Sequence, residues 1–180
     1  MGRVAKLKPE ELTPEQKELY DAIAGARGVV GGPFGIWLRQ PAIADVANNF
    51  GNAVRLHGKL DKRLFELMTI VVARHWGAQY EWFVHVDAGR KAGLTDEAIE
   101  ALRTNGTPKF SRDDERLVYD VVTELSRTKR LSDASYQRAL DFFGLDLLVE
   151  LITATGFYTL VAMMLNAFDV DTPDGSRPLP

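Results

Sequence analysis

The sequence predicts an all-α fold of about seven or eight helices. Apolar residues recur at helical spacing along most of the 180-residue chain. No segment of useful length alternates between apolar and polar residues as a half-buried strand does. Helix-capping residues and glycines bound the periodic segments. The length and the hydrophobic content of 46% fit one folded unit, so we expect a single domain over residues 1–180.

Two helices are predicted in the N-terminal third of the chain. Thr13 is followed by proline and stands three residues before Gln16, which is the pattern of a helix N-terminus, and this helix should run to about Gly25. Residues 26–34 contain several glycines and a proline, which predicts a loop of the kind that often covers a functional site. Residues 41–56 carry apolar positions at helical spacing and form the second helix.

The stretch Leu60–Leu94 is predicted to form a helical hairpin around which the chain is organised. Its first arm, residues 60–76, is apolar around most of its circumference, as expected for a buried helix. Glu66 lies within this arm, and a buried carboxylate needs a partner because leaving it unpaired is expensive. The candidate partners of Glu66 are Arg63, Arg74, His75 and His85, and the sequence alone does not choose among them.

Capping residues and glycines also define the C-terminal half. They predict a short helix after Thr95, a helix after Ser111, a helix from Ser132 that Gly144 ends, and a long apolar helix over residues 145–168. Charged residues interrupt the long helix, so we expect it in the protein interior or at a subunit interface and not in a membrane. From about residue 169 the chain has three prolines and no period, which predicts an irregular arm that either wraps a neighbouring subunit or is disordered.

Composition excludes several classes of function. The net charge of −3 and the pI near 5.7 give no basic field, so we expect no nucleic-acid partner. No signal sequence or membrane-length apolar span is visible, which predicts a cytoplasmic protein with no membrane partner. Cysteine is absent, which excludes disulfides and thiol nucleophiles. Glu-xx-His pairs are absent too, so we expect no metal site.

The second arm of the hairpin concentrates four chemically useful side chains. Tyr80, Glu81, Trp82 and His85 lie within two helical turns. Because Glu81 and His85 are four residues apart, both side chains emerge on one face of a helix, where the carboxylate can hold or polarise the imidazole. We therefore predict an acid/base site centred on this pair. The alternative is a surface ion pair without a catalytic role.

This stretch resembles the carboxymuconolactone decarboxylase family, which includes the alkylhydroperoxidase AhpD branch. The resemblance rests on Glu66, on the segment Ala78-Gln79-Tyr80-Glu81 and on His85, and it extends over most of the chain. The peroxidase branch carries a Cys-xx-Cys pair between its Glu and its His. Here those two positions hold Ala78 and Glu81, so a dithiol cycle is not available to this chain. The resemblance is therefore to the decarboxylase-like branch.

The resemblance implies an AhpD-like helical domain and a homo-oligomer, a trimer or a hexamer. It also implies decarboxylation, without a cofactor, of a small carboxylated lactone or aromatic ring-cleavage product such as 4-carboxymuconolactone. Loss of carbon dioxide from such an acid leaves a dienolate, which must be stabilised and protonated. We expect His85, held by Glu81, to deliver the proton, Tyr80 to donate a hydrogen bond to the lactone carbonyl, and Glu66 to orient His85 or a water.

Substrate binding is predicted to use a cation for the carboxylate and aromatic faces for the ring. The candidates are Arg39, Trp37, Arg74 and Trp82. Two other functions stay open. One is a non-catalytic oligomer that binds small acids through Trp37, Trp82 and Phe83, for which Glu81 and His85 would be locked in structural hydrogen bonds. The other is a peroxide-related role by a route that uses no thiol.

Overall fold

The computed structural model describes residues 2–180, except for the side chains of residues 26 and 27. A short 3-10 helix, Pro9–Glu11, precedes eight α-helices: α1 Pro14–Arg27, α2 Phe34–Trp37, α3 Pro41–Leu56, α4 Lys62–Trp76, α5 Gln79–Ala92, α6 Asp96–Arg103, α7 Asp113–Thr128 and α8 Asp133–Ala167. The described residues contain no strand. The predicted all-α fold with seven or eight helices is confirmed.

Helices α4 and α5 form the predicted hairpin at the centre of the molecule. Asp61 begins α4 by accepting hydrogen bonds from the backbone of the first turn, and Gly77 ends it with a φ of +61°. Every residue of α4 from Leu64 to Ala73 is buried, because the helix packs against α5, α7 and α8. The apolar circumference seen in the sequence thus reflects a helix that is covered on nearly all sides.

The N-terminal segment differs in two respects from the prediction. The Thr13 cap forms as expected, and α1 runs to Arg27, slightly beyond the predicted end. The loop predicted to extend to Phe34 is shorter, because Phe34 begins the one-turn helix α2. Phe34 and Trp37 are both buried and their rings meet edge to face at 5.3 Å. This tertiary packing, which local sequence does not reveal, orders the turn.

Helix α8 contains the two C-terminal helices that the sequence predicted. Ser132 caps it, and Gly144 interrupts it with φ +73° and ψ 168°, a conformation that belongs almost only to glycine. Of the described helices, α8 alone is long and apolar enough to cross a membrane by length and composition. It also packs against α3, α4, α5 and α7, as the core helix of a folded domain does.

The arm that follows α8 is irregular, as predicted, but it folds back onto its own chain. The backbone N–H of Leu179 donates to Oε1 of Gln79 at 2.9 Å, and its carbonyl accepts from Nε2 of Gln79 at 3.1 Å. The Leu179 side chain is buried. The expectation of disorder is therefore wrong, because Gln79 offers a donor and an acceptor that hold the chain end in place. The expectation that the arm wraps a neighbouring subunit stays a prediction.

Candidate active site

A cavity of about 410 Å³ lies beside the hairpin. Its walls come from the α1–α2 loop, the C-terminal end of α3, the first half of α5 and the second half of α8. The apolar wall includes Phe34, Val84, Phe157, Val161 and Leu165. The polar side chains that line it are Asn52, Arg55, Tyr80, Glu81, His85 and Tyr158. The cavity thus joins a largely apolar body to a few polar groups, as small-molecule sites commonly do.

His85 is held by Glu66. The Nδ1 of His85 lies 2.6 Å from Oε2 of Glu66, and both side chains are buried. An ionised carboxylate only accepts hydrogen bonds, so Nδ1 carries the proton in this pair and the other ring nitrogen, Nε2, is left for chemistry. The ring of Tyr158 meets the imidazole edge to face at 5.0 Å. Of the four partners that the sequence left open for Glu66, the structure selects His85.

Glu81 does not hold His85, so the predicted pairing of these two residues is wrong. Neither carboxyl oxygen of Glu81 has a hydrogen-bond partner within the described part of the chain, and the residue is 1% exposed. Spacing alone placed the two side chains on one face, but the imidazole turns across the hairpin to Glu66. Burial raises the pKa of Glu81 well above its usual range. The side chain is therefore a neutral carboxylic acid at the wall of the cavity.

Tyr80 lies at the rim of the cavity beneath the α1–α2 loop. A Cβ atom added to Gly32, whose φ is +57°, would lie 2.7 Å from Cε1 of Tyr80. The backbone of the loop therefore rests directly on the phenol ring. Burial raises the pKa of Tyr80, so the hydroxyl stays protonated and can donate a hydrogen bond.

The four predicted substrate-binding residues do not line this cavity. Trp37 packs in the core between the rings of Phe34 and Phe157, and Arg39 donates to the carbonyl of Ala5. Trp82 lies with Phe83 in a separate groove next to α6. Arg74, at the end of α4, is also outside the lining. Their choice rested on residue type, whereas position in the fold decides which side chains reach the cavity.

Sequence reasoning missed Arg55 and Asn52, which do line the cavity. The positions of large and small residues along α3 indicate which side of this helix faces inward. Large apolar residues such as Ile43 and Val46 are exposed, whereas Ala44, Ala47 and Gly51 are buried. The face of α3 with small residues therefore packs inward, and polar residues on that side of the helix are the ones that reach a site.

Residues 41–109 match the model of the carboxymuconolactone decarboxylase family. Over this segment, 69 of the 180 residues, the chain is similar to the family. The matched segment contains Glu66, Tyr80, Glu81 and His85, together with Arg55. No curated protein matches the chain.

Solved structures of AhpD-like proteins share the fold. An uncharacterised peroxidase-related protein from Ralstonia eutropha JMP134 with an alkylhydroperoxidase AhpD core is 14% identical, with a TM-score of 0.78 over 96% of this chain and 93% of the other. A peroxidase-related protein from Silicibacter sp. TM1040 is 16% identical, with a TM-score of 0.77 over 97% and 93% of the two chains.

A third similar structure is the debrominase Bmp8, a cysteine-to-alanine variant in complex with 2,3,4-tribromopyrrole. It is 12% identical to this chain, with a TM-score of 0.72 over 97% of this chain and 92% of the other. At these identities the similarity shows the AhpD-like helical fold and not a shared reaction. Within the described residues, no three histidine, aspartate or glutamate side chains are grouped so as to hold a metal ion.

Proposed function

We propose that this protein is a cofactor-independent lyase that decarboxylates a small carboxylated lactone or ring-cleavage product, with 4-carboxymuconolactone as the leading candidate. The observation that carries the proposal is the buried Glu66–His85 hydrogen bond, 2.6 Å long, with the imidazole at the wall of the cavity. A histidine fixed in one tautomer by a carboxylate is a common arrangement for general acid–base catalysis.

The proposed step moves one electron pair and one proton. The carbon–carbon bond to the carboxylate breaks, carbon dioxide leaves, and the electron pair passes into the conjugated lactone to give a dienolate. His85, after taking up a proton at Nε2 from water, delivers that proton to carbon, while Glu66 stabilises the charged ring through Nδ1. Tyr80 donates a hydrogen bond to the lactone oxygen, where negative charge develops. The neutral Glu81 carboxyl is a second proton source beside His85.

The state of Glu81 supports an enzyme over a passive binder of small acids. In a purely structural site, Glu81 and His85 would satisfy each other or nearby backbone groups, because an unpaired buried polar group costs about 1–3 kcal/mol. Instead, both carboxyl oxygens of Glu81 are unpaired. His85 forms its hydrogen bond to Glu66 through Nδ1 and not through Nε2. Unpaired polar groups of this kind are typical of sites that act on a ligand.

A peroxidase-related function has weaker support in this chain. Two of the similar structures are described as peroxidase-related, but the chain has no cysteine. A thiol cycle needs one thiolate to attack the peroxide and a second thiol to resolve the product. Turnover of hydroperoxide with a reductant, at a rate above the blank, would revive this second candidate.

The proposal is tested by carbon dioxide release from 4-carboxymuconolactone. His85→Gln is expected to lower kcat by roughly 100-fold or more, because general acid–base catalysis contributes about that factor. Glu66→Gln, which changes only the residue behind the imidazole, is expected to lower kcat by about 10–100-fold. His57→Gln replaces an exposed histidine that does not line the cavity and is the matched control.

Full turnover in His85→Gln, with helical content unchanged by circular dichroism, would remove His85 from the mechanism. A wild-type protein that releases no carbon dioxide would refute the proposed reaction. The oligomer and the cytoplasmic location that the sequence predicted also stay proposals.

A further inference from the structure

Arg55 brings a positive charge to the cavity. It lies in the last turn of α3, and the cavity lining includes Asn52, Arg55 and Leu56. Residues at i, i+3 and i+4 share one face of a helix, so α3 presents a single surface to the cavity. Arg55 is exposed, whereas Glu81 and His85 are buried. The guanidinium therefore lies on the solvent side of the site and the acid–base groups lie at its inner wall.

The guanidinium of Arg55 has no partner within the described part of the chain, where it forms no ion pair and donates no side-chain hydrogen bond. Six other arginines are engaged with carboxylates: Arg63, Arg90, Arg103, Arg112, Arg138 and Arg177. An arginine carries five N–H donors in a planar fork that matches a carboxylate. Arg55 therefore keeps this binding capacity at a cavity that lacks a compensating anion.

Two titratable groups of the lining, Glu81 and Tyr80, do not offset the charge of Arg55. Glu81 and Tyr80 stay protonated because burial raises the pKa of each. The carboxylate of Glu66 lies behind the imidazole of His85 and does not line the cavity. The apolar part of the lining includes Phe34, Phe157 and Val161. The cavity therefore fits a compact apolar ring with an anionic group at its outer end.

We propose that Arg55 is the residue that sets ligand specificity, by binding a carboxylate at the mouth of the cavity so that the apolar ring of the ligand lies against His85. The proposal rests on the proposed function for the reaction that follows, but its binding step stands apart from turnover. It replaces Arg39 and Arg74 as the cation of the site. It also makes neutral ring compounds of the same size poor ligands.

A binding experiment with a matched pair of probes tests Arg55 directly. Isothermal titration calorimetry compares 3-phenylpropanoate with its neutral amide, 3-phenylpropanamide. Wild-type protein is expected to bind the acid more tightly than the amide. Arg55→Gln is expected to weaken binding of the acid by about 5–50-fold, the range for a charge-assisted hydrogen bond at a partly exposed site, and to leave binding of the amide unchanged.

Two further variants make the result specific. Arg55→Lys keeps the charge but loses the fork, and it is expected to recover part of the affinity. Arg130→Gln removes the same charge from an exposed arginine that does not line the cavity and should change nothing. Equal affinity of wild type for acid and amide, no measurable binding of the acid, or unaltered binding in Arg55→Gln would each overturn the assignment.

Kinetics separate this assignment from the reaction itself. With turnover present, Arg55→Gln is expected to raise KM for 4-carboxymuconolactone and to leave kcat nearly unchanged, because the contact is made to the carboxylate that stays on the substrate, equally in the ground state and the transition state. An unchanged KM would overturn the role of Arg55 and leave the lyase intact. Loss of acid binding in Arg55→Gln, in a protein that releases no carbon dioxide, would support the role of Arg55 and refute the lyase.

Discussion

At the level of single residues, the state of Glu81 determines much of what the site can do. An ionised carboxylate in this position would lack both water and a hydrogen-bond partner, so the protein holds the neutral form. A neutral carboxyl can donate a proton or a hydrogen bond, whereas the ionised form only accepts. It also leaves the cavity open to an anion, because it adds no negative charge next to His85.

The raised pKa of Glu81 makes the stability of the protein depend on pH. The folded state binds a proton at Glu81 that the unfolded chain releases above its ordinary pKa of 4.5. As the pH rises from 4.5 to the raised pKa of the folded state, the free energy of unfolding therefore falls, by about 1.4 kcal/mol for each pH unit. We expect Glu81→Gln to lack this dependence. The free energy of unfolding of the variant should therefore increase relative to that of wild type as the pH rises.

Urea denaturation at a series of pH values from about 4 to 8 measures this difference. Glu97→Gln, at an exposed glutamate of α6, is the control and should follow wild type throughout. A wild-type curve parallel to that of Glu81→Gln at all pH values would show that Glu81 is ionised in the folded protein.

The sequence identified the right residue types but paired them incorrectly. Glu66 and His85 are 19 residues apart, and only the packing of α4 on α5 brings them together. The four-residue spacing of Glu81 and His85 fixes a shared helix face but not the rotation of either side chain. Arg55 was missed because exposure and position in the fold, and not residue type, decide which arginine faces the cavity.

At the level of elements, the α1–α2 loop and Tyr80 form the rim of the site together. Gly32 is in the left-handed region, and its missing side chain lets the loop backbone rest on the phenol ring. The glycines that predicted a loop in the sequence thus have a second structural role, because they let the loop backbone approach an aromatic residue of α5 closely. A β-carbon at this point would push the loop off the ring and open one wall of the cavity.

Gly32→Ala is therefore expected to destabilise the protein by roughly 2–4 kcal/mol. About 1–2 kcal/mol comes from the left-handed conformation, and the rest comes from the clash with Tyr80. Gly28→Ala is the matched control, because Gly28 is also left-handed at φ +77° but has open space around it. Denaturation by urea gives both values. A cost for Gly32→Ala no larger than that for Gly28→Ala would show that the loop does not press on Tyr80.

The helices themselves were largely predictable because their caps are local. Thr13, Ser132 and the break at Gly144 act within one turn of the chain, so the sequence shows them directly. Helix α2 was not predictable, since its single turn is ordered by the burial of Phe34 and Trp37 against distant residues. The same limit applies to α3, whose inward face is the one with small residues.

At the level of the whole molecule, the cavity is built from two parts of the chain, one inside and one outside the segment that matches the family. The acid–base groups and Arg55 lie within residues 41–109, which match the family. The apolar wall from α8 and the α1–α2 loop lies outside that range. The acid–base groups of the site therefore all lie in the segment that matches the family. We infer that the choice of ring is set by the flanking helices, which the family match does not describe.

The exposed surface of α3 and α8 bears on the predicted homo-oligomer. The large apolar side chains on these two helices that are between 39% and 67% exposed include Ile43, Val46, Phe50, Leu145, Val149, Leu160 and Met163. The helices pack on each other, and the rings of Phe50 and Phe157 meet at 5.0 Å. Apolar patches of this kind mark protein interfaces. We propose that a second copy of the chain covers this face.

A wild-type mass that is a multiple of 20.1 kDa is therefore expected in light scattering coupled to size-exclusion chromatography. The double variant Val46→Asp with Val149→Asp places two charges on the apolar face, where burial against a partner would cost several kcal/mol, and it should shift the mass towards 20.1 kDa. Thr107→Asp adds a charge on the exposed α6–α7 loop and should leave the mass unchanged. A wild-type protein that is already monomeric would contradict the proposal. A double variant that keeps the wild-type mass would contradict it too, because a face buried between copies does not accept two carboxylates without loss of association.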